Sequence, residues 1–358
     1  YKQIYMILED KKNAFIQLGL FLKQFSVQPY QQNKDVLCND LFFESFQGII
    51  EQLHNSNSWF KRSQLEFAFA SWANALTDEQ LTKWLTAYDF KEDALKTVSL
   101  ILAGNIPMVG FHDVLSVLLS GNKALIKLSS NDIYLIPFML KYVEIVEPRF
   151  ADRYLITKEK LEDFDAVIAT GSDNTARYFE YYFGKYPNII RKNRNSVAVL
   201  NGKETKEDML ALGEDIFRYF GLGCRSVSKL FVPKGYVFDP FFEGLFQFKD
   251  VLDDDKYTNN YDYNKAVFLM SNFNLLDNGF FTIKEDTSYA SPISSAFYEY
   301  YEDIDEVQQK LAQDAEKIQC IVSNNLVKNS IPFGTTQKPM LWDYADNVDT
   351  MKFLFDLD

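Results

Sequence analysis

Residues 97–107 read TVSLILAGNIP, a short apolar run rich in Val, Ile and Leu that ends in Gly-Asn. Runs of this kind, bounded by turn residues, are typical of strands buried on both faces of a parallel sheet. Three more follow along the chain: KALIKLS (123–129), DAVIATGS (165–172) and NSVAVLNG (195–202). The run TVSLILAGN (97–105) is therefore predicted to form the first strand of a parallel sheet, which Gly104 and Asn105 end.

Helical patterns separate these strands: GFHDVLSVLLSG (110–121), DIYLIPFMLKYVEIV (132–146) and DNTARYFEYYFGKY (173–186). A second alternating set runs from the helix KEDMLALGEDIFRYFG (206–221) and the strand SKLFVP (228–233) to the strand QCIVS (319–323). Alternating strands and helices indicate sheets covered by helices on both faces. The prediction is an α/β protein with two doubly wound domains.

The regions outside these sets have other patterns. The first ninety or so residues carry apolar residues at helical spacing, and Thr77 with Gln80 three positions later forms a capping-box pattern. The tract DVLDDDKYTNNYDYNKA (250–266) is expected to be a surface loop, and MKFLFDL (351–357) a short C-terminal strand. A helical N-terminal region is therefore predicted to precede the two domains.

Composition restricts the class of protein. The 358 residues are 47% hydrophobic with a net charge of −13, which predicts a folded chain and argues against nucleic acid as a partner. The cysteines, Cys38, Cys224 and Cys320, lack CxxC metal spacing and fit a reducing compartment. Neither a signal-peptide pattern nor an uncharged apolar run of about 18 residues is present. A cytoplasmic protein with no membrane span and no metal is expected.

The loops that end the first strands are candidate binding sites, because open α/β sheets bind ligands beyond the carboxyl ends of their strands. Asn105 could direct its side-chain amide at a developing oxyanion, or could be a turn residue. Lys127, followed by Ser129 and Ser130, could contact a phosphate or a ribose, or could be a solvated lysine. Both interpretations remain open from these residues alone.

Thr170, Gly171 and Ser172 end a predicted strand and begin a helix. The N-terminal amides of a helix can hold a phosphate, although ordinary helix capping explains the same residues. The stretch contains neither GxGxxG nor a P-loop pattern, so its signal is weak.

Cys224 lies in the stretch FGLGCRSVSKLFVP (220–233). A cysteine nucleophile needs a lowered thiol pKa and open approach. Gly221 and Gly223 remove side-chain bulk before it, and Arg225 places a positive charge after it. The alternative is that Cys224 is a packed core thiol. For Cys320, the surrounding apolar strand favours core packing.

In chain order, the blocks AGNIP, SGNKALIKLS, ATGS, RNSVAVL, GLGCRSVSKLFVP and PFG resemble the aldehyde dehydrogenase superfamily. Within it they are similar to the acyl-CoA reductases related to the fatty-acid reductase of bacterial bioluminescence. The resemblance runs from about Leu100 to the C-terminus. It implies an aldehyde-dehydrogenase-like fold with a cofactor domain and a catalytic domain.

The resemblance also implies roles for matching residues. Cys224 would be the nucleophile, and the Asn105 amide with the Cys224 backbone N–H would form the oxyanion hole. Lys127 would bind the adenine ribose of the cofactor, and Ser172 its pyrophosphate. The last block, which would line the substrate side, is Pro332, Phe333 and Gly334.

Departures from the family pattern refine the prediction. Hydrolysing aldehyde dehydrogenases have a glutamate base where this chain has Arg191, Lys192 or a neighbour, so an acyl-Cys224 thioester would persist until hydride or another thiol arrives. Ser130 stands where many NAD-preferring members have an acid, which favours NADPH while leaving NADH possible. Ser288 falls at the usual glutamate of the ExFGP block, which puts the contact to the nicotinamide ribose in doubt.

The predicted function is NADPH-dependent reduction of an acyl-CoA, fatty acyl by resemblance, to an aldehyde through an acyl-cysteine thioester. The alternatives are a cysteine acyltransferase or thioesterase with His112 as base, a hydrolysing aldehyde dehydrogenase, and a non-catalytic nucleotide-binding module. Expected partners are acyl-CoA, acyl carrier protein or an acyl-activating enzyme, and further copies of the chain in a homo-oligomer. The predicted divisions are 1–95 (helical), 96–194 (dinucleotide binding), 195–334 (catalytic) and 335–358 (returning to the cofactor domain or to an oligomer interface).

Overall fold

The computed structural model describes residues 6–90, 95–271 and 273–357. Residues 1–5 and 91–94 of the predicted helical region lie outside this part of the chain. The chain divides into two compact units: unit 1 is Tyr1–Lys192 with Met340–Asp358, and unit 2 is Asn193–Pro339. The roles predicted from the sequence, dinucleotide binding for 96–194 and catalysis for 195–334, stay predictions.

The N-terminal part of unit 1 is helical. It contains α1 (Leu8–Lys23), α2 (Asn39–Ser56), α3 (Arg62–Ala75) and α4 (Asp78–Leu85). Their buried faces form an aromatic core that includes Phe15, Phe21, Phe25, Phe46 and Phe69. The start predicted for α4 is confirmed, because the Thr77 side chain accepts a hydrogen bond from the Gln80 backbone N–H.

A parallel five-stranded sheet forms the rest of unit 1. Its strands are β1 (Thr97–Ile101), β2 (Lys123–Lys127), β3 (Tyr154–Ile156), β4 (Ala166–Thr170) and β5 (Asn188–Arg191), in the order β3-β2-β1-β4-β5. The connecting helices are α5 (Phe111–Ser120), α6 (Leu135–Val146) and α7 (Asp173–Phe183). The chain adds strands on one side of β1 and then on the other, so a topological switch point lies between β1 and β4.

Unit 2 contains a six-stranded sheet in the order β11-β6-β7-β10-β9-β8, parallel except for the antiparallel β8–β9 pair. Its strands are β6 (Asn195–Val199), β7 (Val227–Pro233), β8 (Leu275–Asp277), β9 (Thr282–Glu285), β10 (Ser295–Tyr301) and β11 (Ile318–Val322). Its helices are α8 (Lys206–Phe217), α9 (Asp239–Leu245), α10 (Asp255–Met270) and α11 (Ile304–Gln313). The predicted α/β architecture with two doubly wound sheets is confirmed.

The loop predicted over 250–266 is wrong, because most of that tract belongs to α10, a helix of 16 residues. Asp254 caps its start by accepting the Tyr257 backbone N–H at 2.9 Å. Tyr257, Tyr261, Asn264 and Phe268 are buried along one face of the helix at three- and four-residue spacing. Tertiary packing of these side chains overrides the low helix propensity of the Asn- and Asp-rich sequence.

The strand predicted at MKFLFDL (351–357) is also wrong, because the structure forms helix α12 (Thr350–Phe355) there. The Asp349 carboxylate accepts the Lys352 backbone N–H at 2.8 Å. Met351 and Leu354, three residues apart, are buried on the face of α12 that packs against α5. A capping aspartate and this packing decide the helix in a sequence whose apolar residues also fit a strand.

Candidate active site

The loops after β1 and β2 meet at the carboxyl edge of the unit 1 sheet. Ile101 at the end of β1 pairs with Lys127 at the end of β2, so the following residues leave the sheet side by side. A Cβ on Gly104 would lie 2.6 Å from the Ser129 hydroxyl oxygen, so a larger residue would displace Ser129. This close approach places Asn105, directly after the glycine, in the loop against the β2 exit.

A buried carboxylate that the sequence analysis missed holds the Asn105 loop. Asp132 is 4% exposed, and its two oxygens accept the Met108 N–H at 3.3 Å and the Leu135 N–H at 3.2 Å. Burial raises the pKa of Asp132 to about 6. Met108 itself has a positive φ of 57°. Asp132 thus ties a strained loop to the start of α6. The available signal was an Asp at the first residue of the predicted helix 132–146.

The residues after β2 present polar groups at the same edge. Lys127 is half-buried, and its ammonium donates to the Glu159 carbonyl at 3.4 Å. The Ser129 hydroxyl accepts the Asn131 backbone N–H at 3.2 Å, whereas Ser130 is exposed. An ammonium with neighbouring hydroxyls suits the ribose and phosphate groups of a dinucleotide.

Thr170, Gly171 and Ser172 connect the end of β4 to α7, on the other side of the switch point. The Ser172 hydroxyl caps α7 by accepting the Thr175 N–H at 3.3 Å, and the Ser172 residue is exposed. The 11-residue helix directs its N-terminal amides toward this edge. Together with Lys127, these donors fit a nicotinamide dinucleotide, so the chemistry of this edge agrees with the predicted cofactor.

In unit 2, a strained turn precedes Cys224. Helix α8 ends at Phe217, and Tyr219, Phe220 and Gly221 then adopt φ values of 55°, 57° and 75°. A non-glycine residue in the left-handed region costs about 1–2 kcal/mol. The side chains of Tyr219 and Phe220 are both buried, which offsets that cost. The turn reverses the chain so that the cysteine leads into the amino end of β7.

Cys224 is exposed, whereas Cys320 is buried in β11. The Ser196 hydroxyl donates to the Cys224 carbonyl at 3.0 Å and accepts the Cys320 N–H at 3.1 Å. The Arg225 guanidinium donates to the Cys320 sulfur at 3.3 Å. The bond to its carbonyl therefore ties the Cys224 backbone to β6, while the residue stays exposed to solvent, as a nucleophile requires. Arg225, whose charge the sequence places next to Cys224, thus contacts the sulfur of Cys320.

Pro332, Phe333 and Gly334 lie in unit 2 after β11. Pro332 is exposed, Phe333 is buried, and Gly334 has a positive φ of 78°. A Cβ on Gly334 would lie 3.0 Å from the Ala211 Cβ of α8, so the segment packs closely on the helix that leads to Cys224. The Gly334 N–H donates to the Asp215 carboxylate of α8 at 2.6 Å.

The position predicted to lack a catalytic base holds a buried ion pair. Arg191 donates to Asp113 of α5 through Nη1 at 2.5 Å and Nη2 at 2.8 Å, and Nη2 also contacts the Thr350 hydroxyl at 3.1 Å. Lys192 pairs with Glu180 at 2.7 Å. Both residues are cations with carboxylate partners, and neither can accept a proton from water.

His112 is engaged within unit 1. Its Nε2 lies 2.8 Å from the Leu341 carbonyl, so this nitrogen carries a proton and donates it. The ring packs against Trp84 and Tyr344, with centroid distances of 5.3 and 5.5 Å. These contacts agree with a packing role.

Ser288, at the family's glutamate position, is exposed, and its N–H donates to the Asp286 carboxylate at 2.9 Å. Asp286 in turn pairs with the buried Lys284 at 2.6 Å. The doubt that Ser288 raises about a contact to the nicotinamide ribose stays a prediction from the sequence.

Comparison with solved structures defines the class of fold. The chain is similar to aldehyde dehydrogenase 21 from Physcomitrella patens, with a TM-score of 0.66 and 14% identity over 99% of this chain and 85% of that one. It is also similar to the NADP-dependent glyceraldehyde-3-phosphate dehydrogenase from Bacillus halodurans, with a TM-score of 0.57 and 13% identity over 89% and 77% of the chains. The protein has an aldehyde-dehydrogenase-like fold.

The family follows from sequence. The family model described as acyl-CoA reductase (LuxC) matches residues 47–240, and the chain belongs to this family. The chain is 24% identical over 190 residues to long-chain acyl-protein thioester reductase 2 from Photobacterium leiognathi. That match covers 48% of this chain and only 39% of the relative's length.

In the part of the chain that the structure describes, every helix is too short or too polar to cross a bilayer.

Proposed function

We propose that this protein reduces a fatty acyl thioester to the aldehyde, with a reduced nicotinamide cofactor and through an acyl-Cys224 intermediate. The observation that carries the proposal is the exposed Cys224, held after a left-handed turn, in a chain of the acyl-CoA reductase family. A buried thiol could not meet an acyl donor, and a thiol on an unconstrained loop would not be presented in one position.

The first step is thiol exchange. The Cys224 thiolate attacks the thioester carbonyl carbon, and the carbonyl electron pair moves onto oxygen. The carbon–sulfur bond to the donor then breaks as the oxyanion collapses, and the donor leaves as a thiolate that takes a proton from solvent. By family resemblance, the Asn105 amide and the Cys224 backbone N–H donate to the oxyanion.

Unit 1 supplies the proposed cofactor residues. Lys127, Ser129 and Ser130 would bind the adenine ribose, and Thr170, Gly171 and Ser172 would bind the pyrophosphate at the start of α7. When bound, the reduced nicotinamide supplies the hydride that converts an acyl thioester into an aldehyde and a free thiolate. Ser130 carries no charge that would repel a 2′-phosphate, which favours NADPH over NADH.

The fate of the acyl-enzyme follows from the residues at the position where hydrolysing family members have their base. Arg191 and Lys192 are held by Asp113 and Glu180, so they offer no base to activate water. The acyl-Cys224 thioester is therefore proposed to survive until it is reduced. A hydrolysing aldehyde dehydrogenase is disfavoured for the same reason.

The acyl donor is proposed to be a fatty acyl thioester of coenzyme A or of a protein. The protein thioester is suggested by the Photobacterium leiognathi relative, which is named a long-chain acyl-protein thioester reductase. The coenzyme A thioester is suggested by the family, which is described as acyl-CoA reductase. Acyl carrier protein and an acyl-activating enzyme are the corresponding protein donors. A homo-oligomer stays a prediction, which light scattering on the purified protein would measure.

The test is a single-turnover experiment with a radiolabelled long-chain acyl-CoA. Without NADPH, wild-type protein should retain label on the peptide that contains Cys224, and addition of NADPH should release fatty aldehyde. Cys224→Ala should do neither, whereas Cys320→Ala should do both. Full activity in Cys224→Ala would overturn the proposal, and rapid release of free fatty acid without NADPH would replace it with the thioesterase alternative.

A further inference from the structure

Asp215 is a buried carboxylate of α8 that the proposed chemical steps do not use. It is 1% exposed. Its Oδ2 accepts the Gly334 N–H at 2.6 Å, and its Oδ1 accepts the Thr336 N–H at 3.0 Å and the Thr336 hydroxyl at 2.8 Å. A buried carboxylate is costly unless donors surround it, so three bonds to one segment indicate a built contact.

The segment that Asp215 holds continues to the cysteine turn. Gln337 follows Thr336 directly, and its side-chain amide donates to the Ser226 hydroxyl at 3.3 Å. Thr336, Gln337 and Ser226 are all buried, and Ser226 is only two residues after Cys224. This is a continuous path of hydrogen bonds and one peptide link from Asp215 to the chain that leaves the turn.

The same aspartate also lies close to the chain that enters the turn. Asp215 is in the last turn of α8, which ends at Phe217, and the left-handed residues begin at Tyr219. Asp215 therefore connects both ends of the Cys224 turn: the entrance through its own helix, and the exit through Thr336, Gln337 and Ser226.

We infer that Asp215 is a positioning residue that fixes the Cys224 turn by holding residues 334–337 on α8. Its consequence for catalysis rests on the proposed function, whereas its effect on the turn does not. The left-handed residues make the turn costly, so a second attachment at the exit keeps the cysteine in one position. A shift of about 1 Å in a reacting group can cost about 100-fold in rate.

Four substitutions separate the links of this path. Asp215→Asn replaces an acceptor oxygen with an NH₂ group that faces N–H and O–H donors. Thr336→Val removes one donor at nearly constant volume, and Thr336→Ser restores it. Gln337→Ala leaves the bonds to Asp215 intact and removes only the link to Ser226.

The first readout is hydrogen exchange of the folded full chain, resolved to peptides covering 222–228 and 334–338. Asp215→Asn and Thr336→Val should speed exchange in both peptides by about tenfold or more, and Thr336→Ser should restore it. Gln337→Ala should speed exchange in 222–228 alone. Glu207→Gln, which replaces a carboxylate with an amide at the exposed start of α8, should leave 222–228 unchanged and is the matched control.

The second readout is the kinetics of acyl thioester reduction. Asp215→Asn should lower kcat about tenfold or more with KM for the thioester within about twofold, and Thr336→Ser should keep the wild-type kcat. Unchanged exchange in 222–228 in folded Asp215→Asn and Thr336→Val would overturn the inference. If exchange in 222–228 is faster in Asp215→Asn and Thr336→Val but the wild-type protein has no reductase activity, the positioning role is supported and the proposed function is contradicted.

Discussion

The two units present their candidate residues at opposite kinds of sheet edge. In unit 1, Asn105, Lys127 and Ser172 lie at or just after the carboxyl ends of three parallel strands. In unit 2, Cys224 precedes β7 and so lies at the amino end of a strand. The unit 1 edge is where the topology of any doubly wound sheet places a ligand, whereas the unit 2 position depends on one turn and its attachments.

Each unit also uses one buried aspartate to hold its loop, and the two differ in reach. Asp132 bonds backbone groups 3 and 24 residues away, whereas Asp215 bonds groups 119 and 121 residues away. A short-range bond shapes one loop, and a long-range bond fixes two distant segments to each other. The Asn105 loop is thus held by residues near it in sequence, and the cysteine turn by residues far from it in sequence.

The largest expected effect is on the stability of unit 1. Arg191→Met leaves the Asp113 carboxylate buried without its cation, which should cost about 3–5 kcal/mol in the free energy of unfolding. All four tryptophans lie in unit 1, so urea unfolding followed by tryptophan fluorescence reports on that unit.

The double variant Arg191→Met/Asp113→Leu is the control for this prediction. Because it removes both charges, it should recover much of the lost stability. A single variant as stable as wild type would contradict the importance of the pair.

The next effect is on catalysis at the carboxyl edge. Asn105→Ala removes a proposed oxyanion donor and should lower kcat about 10²–10³-fold, equivalent to about 2.7–4 kcal/mol. The measurement is NADPH oxidation with a long-chain acyl-CoA. The control Asn259→Ala removes the same group from an exposed position on α10 and should leave kcat unchanged. Equal rates in both variants would remove Asn105 from the mechanism.

The pH dependence of stability tests the short-range aspartate. The pKa of Asp132 is about 6 in the folded chain against an ordinary aspartate value of 3.8, so the folded state keeps the proton up to a higher pH. Wild-type stability should therefore fall, relative to Asp132→Asn, by about 2 kcal/mol between pH 4 and pH 7. Tryptophan-detected unfolding at both pH values measures the difference. A difference that does not change with pH would mean that Asp132 ionises as readily in the folded chain as in the unfolded one.

The smallest effect separates capping from cofactor binding at Ser172. Ser172→Ala removes the cap of α7 and should cost about 1 kcal/mol of stability. Ser172→Asp keeps a capping oxygen and so should keep stability, but its negative charge should raise KM for NADPH at least about tenfold. If Ser172→Asp leaves KM for NADPH unchanged, Ser172 is only a helix cap.

Several features were predictable because they depend on local pattern. The apolar runs ending at Ile101 and Lys127 predicted parallel strands, and the order of blocks predicted the fold. Asp132 and Asp215 were not found, because an aspartate in sequence does not reveal which distant N–H groups it will meet. The sequence showed Arg191 near the position where hydrolysing aldehyde dehydrogenases have a glutamate base. Its ion-pair partner, Asp113, could be identified only in the folded chain.

By itself the sequence determined where the strands run, which loops follow them, and that a lone cysteine stands between glycines before a strand. These are properties of neighbouring residues, set by periodicity and backbone preference. Only the tertiary structure decided that Cys224 is exposed, that most of residues 250–266 belong to α10, and that Asp215 holds Gly334 and Thr336. Those outcomes depend on which remote groups pack together, and local sequence does not encode that choice.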